Sequence, residues 1–545
     1  MIQRIKSATR NFIAEKPLCA CLICAVALSC IGLNWGINEC WNLDQMGHLK
    51  LRKDYMPEHY LKPPLHTYMN RIFILGPAKQ VMGGWFRIPK ENHWPVYLIG
   101  SRLLTLAMFC GFLVAIYFSL KATSDRRAAF VITIILASSA GILVFNRFLT
   151  ADSPLLFWMG TSFAFAVRSG IRGSTSDAVI AALFAGFAAA NKYNGLGVAA
   201  AIPAALFAAQ GWRFIQRPAP WLAGLAIPVG FILGCPGAIL DTRRFVDDFI
   251  YNYMTTPVYD GQSEGTGYVK FLACFPDLLG WPVTALLTLL LLGTALAVVR
   301  GRLRSAEWIL IASSLAVFGL YFLMIGKFPR IGTRFVLPSV PFLLLLSVPS
   351  LARVDWSRWS SKAVLGLLVL YNIYASIDAG LRFLNDPRME SIAWVKHNIP
   401  PESTIENSYA PEWRRIPERN YQVVQMPAAT GRKELFTKIL GNKKTIQYGL
   451  NRFEMNYGKD TFSKSGLDVR SPDYIAFTTQ VFEWSGDDDA QRFYAAIDRE
   501  EFGYEKVYEK EAKQRWPFSY PMRIDFIPDR MVVLKRRTEN LLPNH

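Results

Sequence analysis

The sequence is short of the features that mark a disulfide-stapled or zinc-binding protein. Its eight cysteines all fall between Cys19 and Cys274, six of them within apolar runs, and the C-terminal third has none. Disulfides therefore do not hold that part together, although Cys40 and Cys274, in two outer loops, could pair. No paired CxxC…CxxC and no HExxH spacing occurs, which argues against a dedicated zinc site. Asn-x-Ser/Thr sequons, internal repeats and low-complexity segments are absent as well. Acidic residues are comparatively few, 42 Asp and Glu against 60 Lys and Arg, for a formal net charge of +18. A balance of that size would suit nucleic acid. Here the basic residues sit in short clusters between apolar runs, not on one soluble face with interleaved aromatics, so the charge reads as membrane topology.

What is plentiful is apolar sequence: 52% of the 545 residues are hydrophobic. A helix needs roughly 20 apolar residues to cross a bilayer. Runs of suitable length occur near 17–37, 97–120, 128–147, 153–169, 177–193, 195–210, 220–240, 276–299, 306–326, 334–352 and 362–380. The reading is a mainly α polytopic bundle of about eleven transmembrane helices over residues 1–380. The stretch 177–210 is the weakest, since Asn191, Lys192 and Tyr193 split it into two short Ala-rich helices. The basic N-terminus and first run could be a cleaved signal peptide, but with many spans following, an uncleaved first span is more economical. Short basic segments recur in every second connection, at 121–127, 168–172, 213–217, 300–304 and 353–362, on the side of the basic N-terminus. The positive-inside rule makes them cytoplasmic. An odd number of crossings then puts 381–545 outside, as a soluble C-terminal domain. Helix candidates at 390–398 and 489–501 and strand candidates at 421–426, 474–478 and 530–535 give it a small α/β character. The absence of sequons points to a bacterial inner membrane.

Charged residues in the outer loops are where chemistry is expected. Asp44 follows the first span among Trp41, Leu43 and Met46; a carboxylate there is costly without a partner or a task, and a helix N-cap also accounts for it. Lys62-Pro63-Pro64-Leu65 holds an ammonium on a stiff stem, suited to a lipid-linked phosphate or to snorkelling. Arg147 and Asp152 flank the next outer turn, and Asp152 ahead of Ser153-Pro154 would also serve as a first-turn residue. Lys192 and Tyr193 interrupt an apolar segment. Glu264 lies in a Gly-rich loop, 259–268, whose amides could meet a phosphate or sugar, and Lys327, Arg330 and Arg334 precede a late span. Carboxylates and cations from several outer loops gathering at one membrane face suit a substrate that is part lipid and part anion. A transporter or flippase would crowd charge at the midplane and show pseudo-symmetry; a glycan polymerase or ligase would remain glycan chemistry.

These elements, taken in order, resemble a known group. Asp44, the Lys62-Pro63-Pro64-Leu65 element, Arg102-Leu103-Leu104, the Thr150-x-Asp152-x-Pro154 element, the Lys192-Tyr193-Asn194-Gly195 turn and Arg334-Phe335-Val336-Leu337-Pro338 are similar to those of GT-C fold glycosyltransferases that use polyprenyl-phosphate sugars. These are the relatives of protein O-mannosyltransferases and aminoarabinose transferases. The resemblance covers roughly 17–380 and implies a sugar donor on undecaprenyl or dolichyl phosphate, an acceptor that is a glycan, lipid or protein, and inversion at the anomeric carbon. It implies Asp44 as general base, Lys62, Lys192 and Arg334 at the lipid phosphate, and Asp152 orienting the acceptor or a cation. Where many relatives have a second acidic residue this chain has Gln45, with Glu39 five residues before Asp44, which leaves a divalent cation an open question.

Overall fold

The computed structural model describes residues 15–37, 51–85 except 53, 55 and 58, 93–255, 266–328, 331–400, 403–407, 421–423, 462–479, and 488–537 except 522–523 and 525–526. Each apolar run of the sequence falls on helix. In chain order these are α1 (Lys16–Cys30), the short α2 (Leu65–Asn70), α3 (Trp94–Thr123), α4 (Arg126–Ser138), α5 (Ala140–Leu143), α6 (Asp152–Arg172), α7 (Thr175–Asn191), α8 (Ala201–Gln210), α9 (Pro218–Gly234), α10 (Thr242–Thr255), α11 (Tyr268–Leu279), α12 (Trp281–Val299), α13 (Ser305–Ile325), α14 (Thr333–Val336), α15 (Val340–Leu346) and α16 (Trp359–Leu384). Among the described residues, five helical stretches are long and apolar enough to cross a membrane, or six when the bent α4–α5 pair counts as one. Four shorter apolar helices accompany them, α1, α7, α9 and the stretch Thr333–Leu346.

The Ala-rich composition of α7 has a packing cause. A Cβ on Gly186 would run into the backbone of Ile227 and Phe231 on α9, and one on Gly230 would strike Leu183 of α7. Gly234 likewise meets the Ala190 methyl, and Ala178, Ala182, Ala219 and Ala223 on the two helices are buried. Small residues every fourth position allow such an approach, which supplies the close packing that lipid cannot.

The chain bends by 56° between α4 and α5. A break inside a membrane frees backbone groups, and these must be satisfied by protein. Ser376 on α16 donates its Oγ to Ser138 O at 2.7 Å, and the Ala140 amide donates to Tyr520 Oη at 3.3 Å. Tyr520 donates in turn to Asn372 Oδ1 at 2.5 Å. A residue near the C-terminus thus closes a defect in an early helix.

Beyond α16 come α17 (Pro387–Asn398), α18 (Lys464–Arg470) and α19 (Asp488–Asp498) with strands β1 (Ile405–Asn407), β2 (Tyr421–Val423), β3 (Tyr474–Thr478), β4 (Tyr504–Glu511) and β5 (Arg530–Arg536). The five strands form one sheet in the order β2-β1-β3-β5-β4. β1 runs parallel to β2 and β3, whereas β5 is antiparallel to β3 and β4. Alternate residues face opposite ways: Ile475, Phe477, Val532 and Leu534 pack on Phe493, Tyr494 and Ile497 of α19, while Ala476, Met531 and Val533 join the core shared with the helical bundle. The small α/β character expected from the sequence is therefore present, with β1 and β4 added to the three strands read from it.

Candidate functional site

The carboxylate of Asp152 is fully buried at the first position of α6 and bridges two cations. Lys192 Nζ donates to Oδ1 at 2.7 Å and Arg334 Nε donates to Oδ2 at 2.7 Å. The side chains of Lys192 and Arg334 are 21% and 20% exposed, so the cluster is anchored at its base and open at its cationic end. Asp152 is not consumed as a helix cap. Its own amide donates to Thr150 Oγ1 at 3.4 Å, and the carboxylate is left for the two cations.

Local sequence fixes Lys192. α7 stops at Asn191, whose Nδ2 donates to Ala151 O at 2.8 Å and so ties the helix end to the residue before Asp152. Lys192 is then extended, at φ −156° and ψ 128°. Gly195 folds the turn back so tightly that a Cβ there would strike Ala188 and Leu155, and its amide donates to Lys192 O at 2.7 Å. The Lys192 ammonium lies 5.7 Å from the Phe335 ring centroid, next to Arg334 in sequence. Burial pulls the Lys192 pKa down; the Asp152 charge opposes this, and the charges of Arg334 and Lys62 add to it. Lys62 therefore belongs to the same electrostatic neighbourhood.

The stem carrying Lys62 is held from two sides. Tyr193 Oη donates to Tyr60 O at 2.6 Å, and the Tyr60 amide donates to Asp248 Oδ2 on α10 at 2.6 Å. Pro63 and Pro64 are buried, and α2 starts directly after them. Farther out, Arg52 joins Asp54 and reaches Asp241 Oδ2 at 2.9 Å. Tyr193 itself packs edge-on against Phe249, with ring centroids 4.9 Å apart. It supports the Lys62 stem and is placed behind it.

His66, four residues past Lys62, is fully buried and within reach of the Asp152 charge. Burial pushes its imidazole down to about 3, and Asp152 offsets only part of that. It is neutral at any ordinary pH. Sequence reading passes over His66, Tyr60 and Asp248 because nothing in their local sequence signals burial; Asn191 reads there only as a break in the Ala-rich stretch, and its bond to Ala151 O is visible only in the structure.

The structure thus brings together Asp152, Lys192 and Arg334; the charge of Lys62 is felt at Lys192 and that of Asp152 at His66, while Tyr193 is bonded to the stem that carries Lys62. It does not bring Arg147 there. That side chain turns inward, fully buried, and donates to Ile31 O at 2.8 Å, Leu28 O at 3.0 Å and Ser376 O at 3.0 Å. The last carbonyls of a helix need outside donors, and Arg147 supplies them to the end of α1 while tying it to α16. Arg102 has a similar part, donating to Leu33 O at 2.6 Å. Asp44, Glu264, Arg330 and Cys40 lie outside the described residues, and Lys327 sits over Phe328 at 5.3 Å. Among the described residues, no three His, Cys, Asp or Glu side chains gather as a metal site.

Comparisons with known proteins bear on the fold. The family described as dolichyl-phosphate-mannose-protein mannosyltransferase matches over residues 80–234, a stretch that holds Asp152 and Lys192 but not Lys62 or Arg334. Two crystal structures of ArnT from Cupriavidus metallidurans share the fold end to end. The apo form has 11% identity and a TM-score of 0.53, covering 97% of this chain and 98% of that one. The form bound to undecaprenyl phosphate has 12% identity and a TM-score of 0.51, covering 98% and 99%. A search by sequence among curated proteins finds no match. The architecture is that of the GT-C fold.

Proposed function

We propose that this protein is an integral-membrane glycosyltransferase that moves a sugar from a polyprenyl-phosphate donor to an acceptor hydroxyl or amine, with inversion. One observation carries the reading: Lys192 and Arg334, from segments far apart in sequence, converge on buried Asp152 with their cationic ends partly open, and Lys62 lies close by. Departure of a lipid phosphate builds negative charge in the transition state. Cations already fixed in place stabilise that state more than the ground state, with no reorganisation at the moment of reaction. In this reading Asp152 holds the two cations in register, and Lys62, Lys192 and Arg334 bind the phosphate. The ArnT fold is known with undecaprenyl phosphate bound, which supports a donor of that class here.

Asp44 is the proposed general base. An acceptor hydroxyl is a poor nucleophile, and a carboxylate at its proton lowers the barrier to attack. Glu264, four positions before α11 in sequence, is the proposed contact to the acceptor or sugar. The reaction is assigned to the outer face, in a bacterial inner membrane. In support, Asp152 starts α6 while the basic segment 168–172 ends it, so cluster and positive charge lie at opposite ends of one helix.

The test is incubation of the purified protein with a radiolabelled polyprenyl-phosphate sugar and a membrane extract as acceptor source. Label should move to a new acceptor, and Asp44→Asn should reduce transfer by at least about 10²-fold with unchanged membrane insertion. Near-wild-type transfer by Asp44→Asn removes Asp44 from the reaction. Passage of the lipid across vesicles without any transfer replaces the enzyme with a flippase.

A further inference from the structure

The segment joining β4 to β5 leaves the sheet and descends along α16. Four residues of that helix, Arg382, Asp378, Tyr374 and Tyr371, form one stripe and hold it in order. Arg382 Nη2 donates to Pro521 O at 3.1 Å, and Asp378 accepts from Ser519 Oγ at 2.7 Å and from the Trp516 amide at 3.2 Å. Tyr374 Oη donates to Pro517 O at 3.0 Å and its ring meets Trp516 with centroids 5.0 Å apart. Tyr371 Oη donates to Phe518 O at 3.0 Å, and the Tyr371 ring stacks on Tyr520 at 5.5 Å.

Helix geometry gives the depth. At 1.5 Å per residue, Tyr371 lies about 16 Å below Arg382 and about 18 Å above Trp359. Trp359 is 81% exposed and follows Arg358 at the start of the helix, as an interfacial residue does. A hydrocarbon core roughly 30 Å thick measured from there includes Tyr371 and ends near Arg382. Phe518, 89% exposed and tied by its carbonyl to Tyr371, is therefore at a depth where the solvent is acyl chain, as it is for the exposed Leu367 and Leu370 of the same helix stretch. A bare phenylalanine at the tip of a water-facing loop would be hard to explain; one dipped into a leaflet is expected.

Directly above it is a cleft of about 400 Å³. Its charged lining is Arg382, Lys513, Arg515 and Arg530 with Glu511 and Asp529. Arg530 is engaged by Asp498 and Glu509, and Arg382, its side chain 9% exposed, pairs with Asp378 at 3.4 Å, which leaves Lys513 and Arg515 as the outward charges beside it. Arg515 is near enough to Arg382 for their charges to repel, and Lys513 lies 6.0 Å from the Trp516 ring centroid.

We propose that this junction binds an anionic phospholipid of the leaflet on the sheet region's side, its phosphate among Arg382, Lys513 and Arg515 and its acyl chain along Phe518. The site is separate from the Asp152 cluster and does not depend on the proposed reaction. The test uses the full chain in nanodiscs of phosphatidylcholine with and without phosphatidylglycerol. Native mass spectrometry should find phosphatidylglycerol retained, and Lys513→Ala should weaken retention about fivefold, the effect of one surface charge. Arg515 also donates to Ser519 O at 2.8 Å, so its loss could loosen the loop; Lys513→Glu is the second variant. Equal retention by wild type, Lys513→Ala and Lys513→Glu overturns the headgroup site. A nitroxide at Phe518→Cys, in a cysteine-free background, should collide with oxygen more than with a water-soluble nickel chelate; the reverse order overturns the depth. Displacement of phosphatidylglycerol by added polyprenyl phosphate would also overturn it, by making the cleft a donor site.

Discussion

Asp152 and Asp386 are both buried carboxylates bound to arginine, yet they are held in opposite ways. Asp386 is closed. Its oxygens take Arg388 Nη2 at 2.7 Å, Arg388 Nε at 3.0 Å and Trp35 Nε1 at 2.8 Å, and Arg388 and Trp35 are each 1% exposed. The Arg388 guanidinium also lies 5.5 Å from the Trp35 ring centroid. All partners are neighbours or architectural residues, joining the end of the first span to the start of α17. Asp152 instead draws its cations from two distant segments and leaves both partly open. Burial of an ion pair alone therefore does not distinguish a joint from a site. The openness of the cationic side does, since a substrate anion can reach only the second.

The comparison breaks most sharply on stability. Arg388→Ala strands the Asp386 carboxylate in the interior, so thermal unfolding in detergent should show a loss of about 3–5 kcal/mol. Transfer per folded molecule should stay near wild type, and a matching fall in turnover would make Asp386 part of the site. Arg334→Ala should do the reverse, lowering kcat by about 10²–10³-fold, in line with loss of one preorganised transition-state donor. If instead only stability falls, the Asp152 cluster is another joint. Asp152→Asn frees Lys192 and Arg334 from their shared anchor; donor KM should rise, whereas Asp386→Asn should leave KM alone. Kinetics of both variants side by side decide it.

Smaller effects sharpen the same contrast. Tyr520→Phe leaves the Ala140 amide and Asn372 Oδ1 without their shared partner, at a cost of about 1–3 kcal/mol in unfolding and with donor KM unchanged. His66 adds a pH test. Its folded pKa, about 3, is below the unfolded value, so the unfolded chain takes up a proton first as pH falls. Stability from this group is full above about pH 6.5 and is lost by up to about 1.4 kcal/mol per unit below it. His66→Gln should flatten that slope, and an unchanged slope assigns it to other groups.

Much of the site was legible because charge in apolar surroundings is expensive and so rarely idle. Lys192 stands out for that reason, Lys62 for its stiff Pro63-Pro64 stem, and Asp152 and Arg334 for their place at the start of apolar spans; in the structure Lys192 and Arg334 meet at Asp152, and the charge of Lys62 is felt there. Arg147 met the same criterion and proved to be the donor that finishes α1. The cost of a charge is written in its neighbours along the chain, but its partner is not. His66 shows the converse: its neighbours Pro64, Leu65, Thr67 and Tyr68 give no sign that it lies inside, and only the packing around α2 buries it.

By itself the sequence determined which stretches are helical and which charges sit where solvation is poor, because each depends on composition over about 20 residues. The tertiary structure alone decided that α7 and α9 meet through Gly186 and Gly230, that Tyr520 closes the break after Ser139, and that two cations clasp Asp152 while Arg147 turns away. Those outcomes depend on contacts between residues dozens to hundreds of positions apart, and no local pattern records which orphaned carbonyl or carboxylate a given side chain will reach.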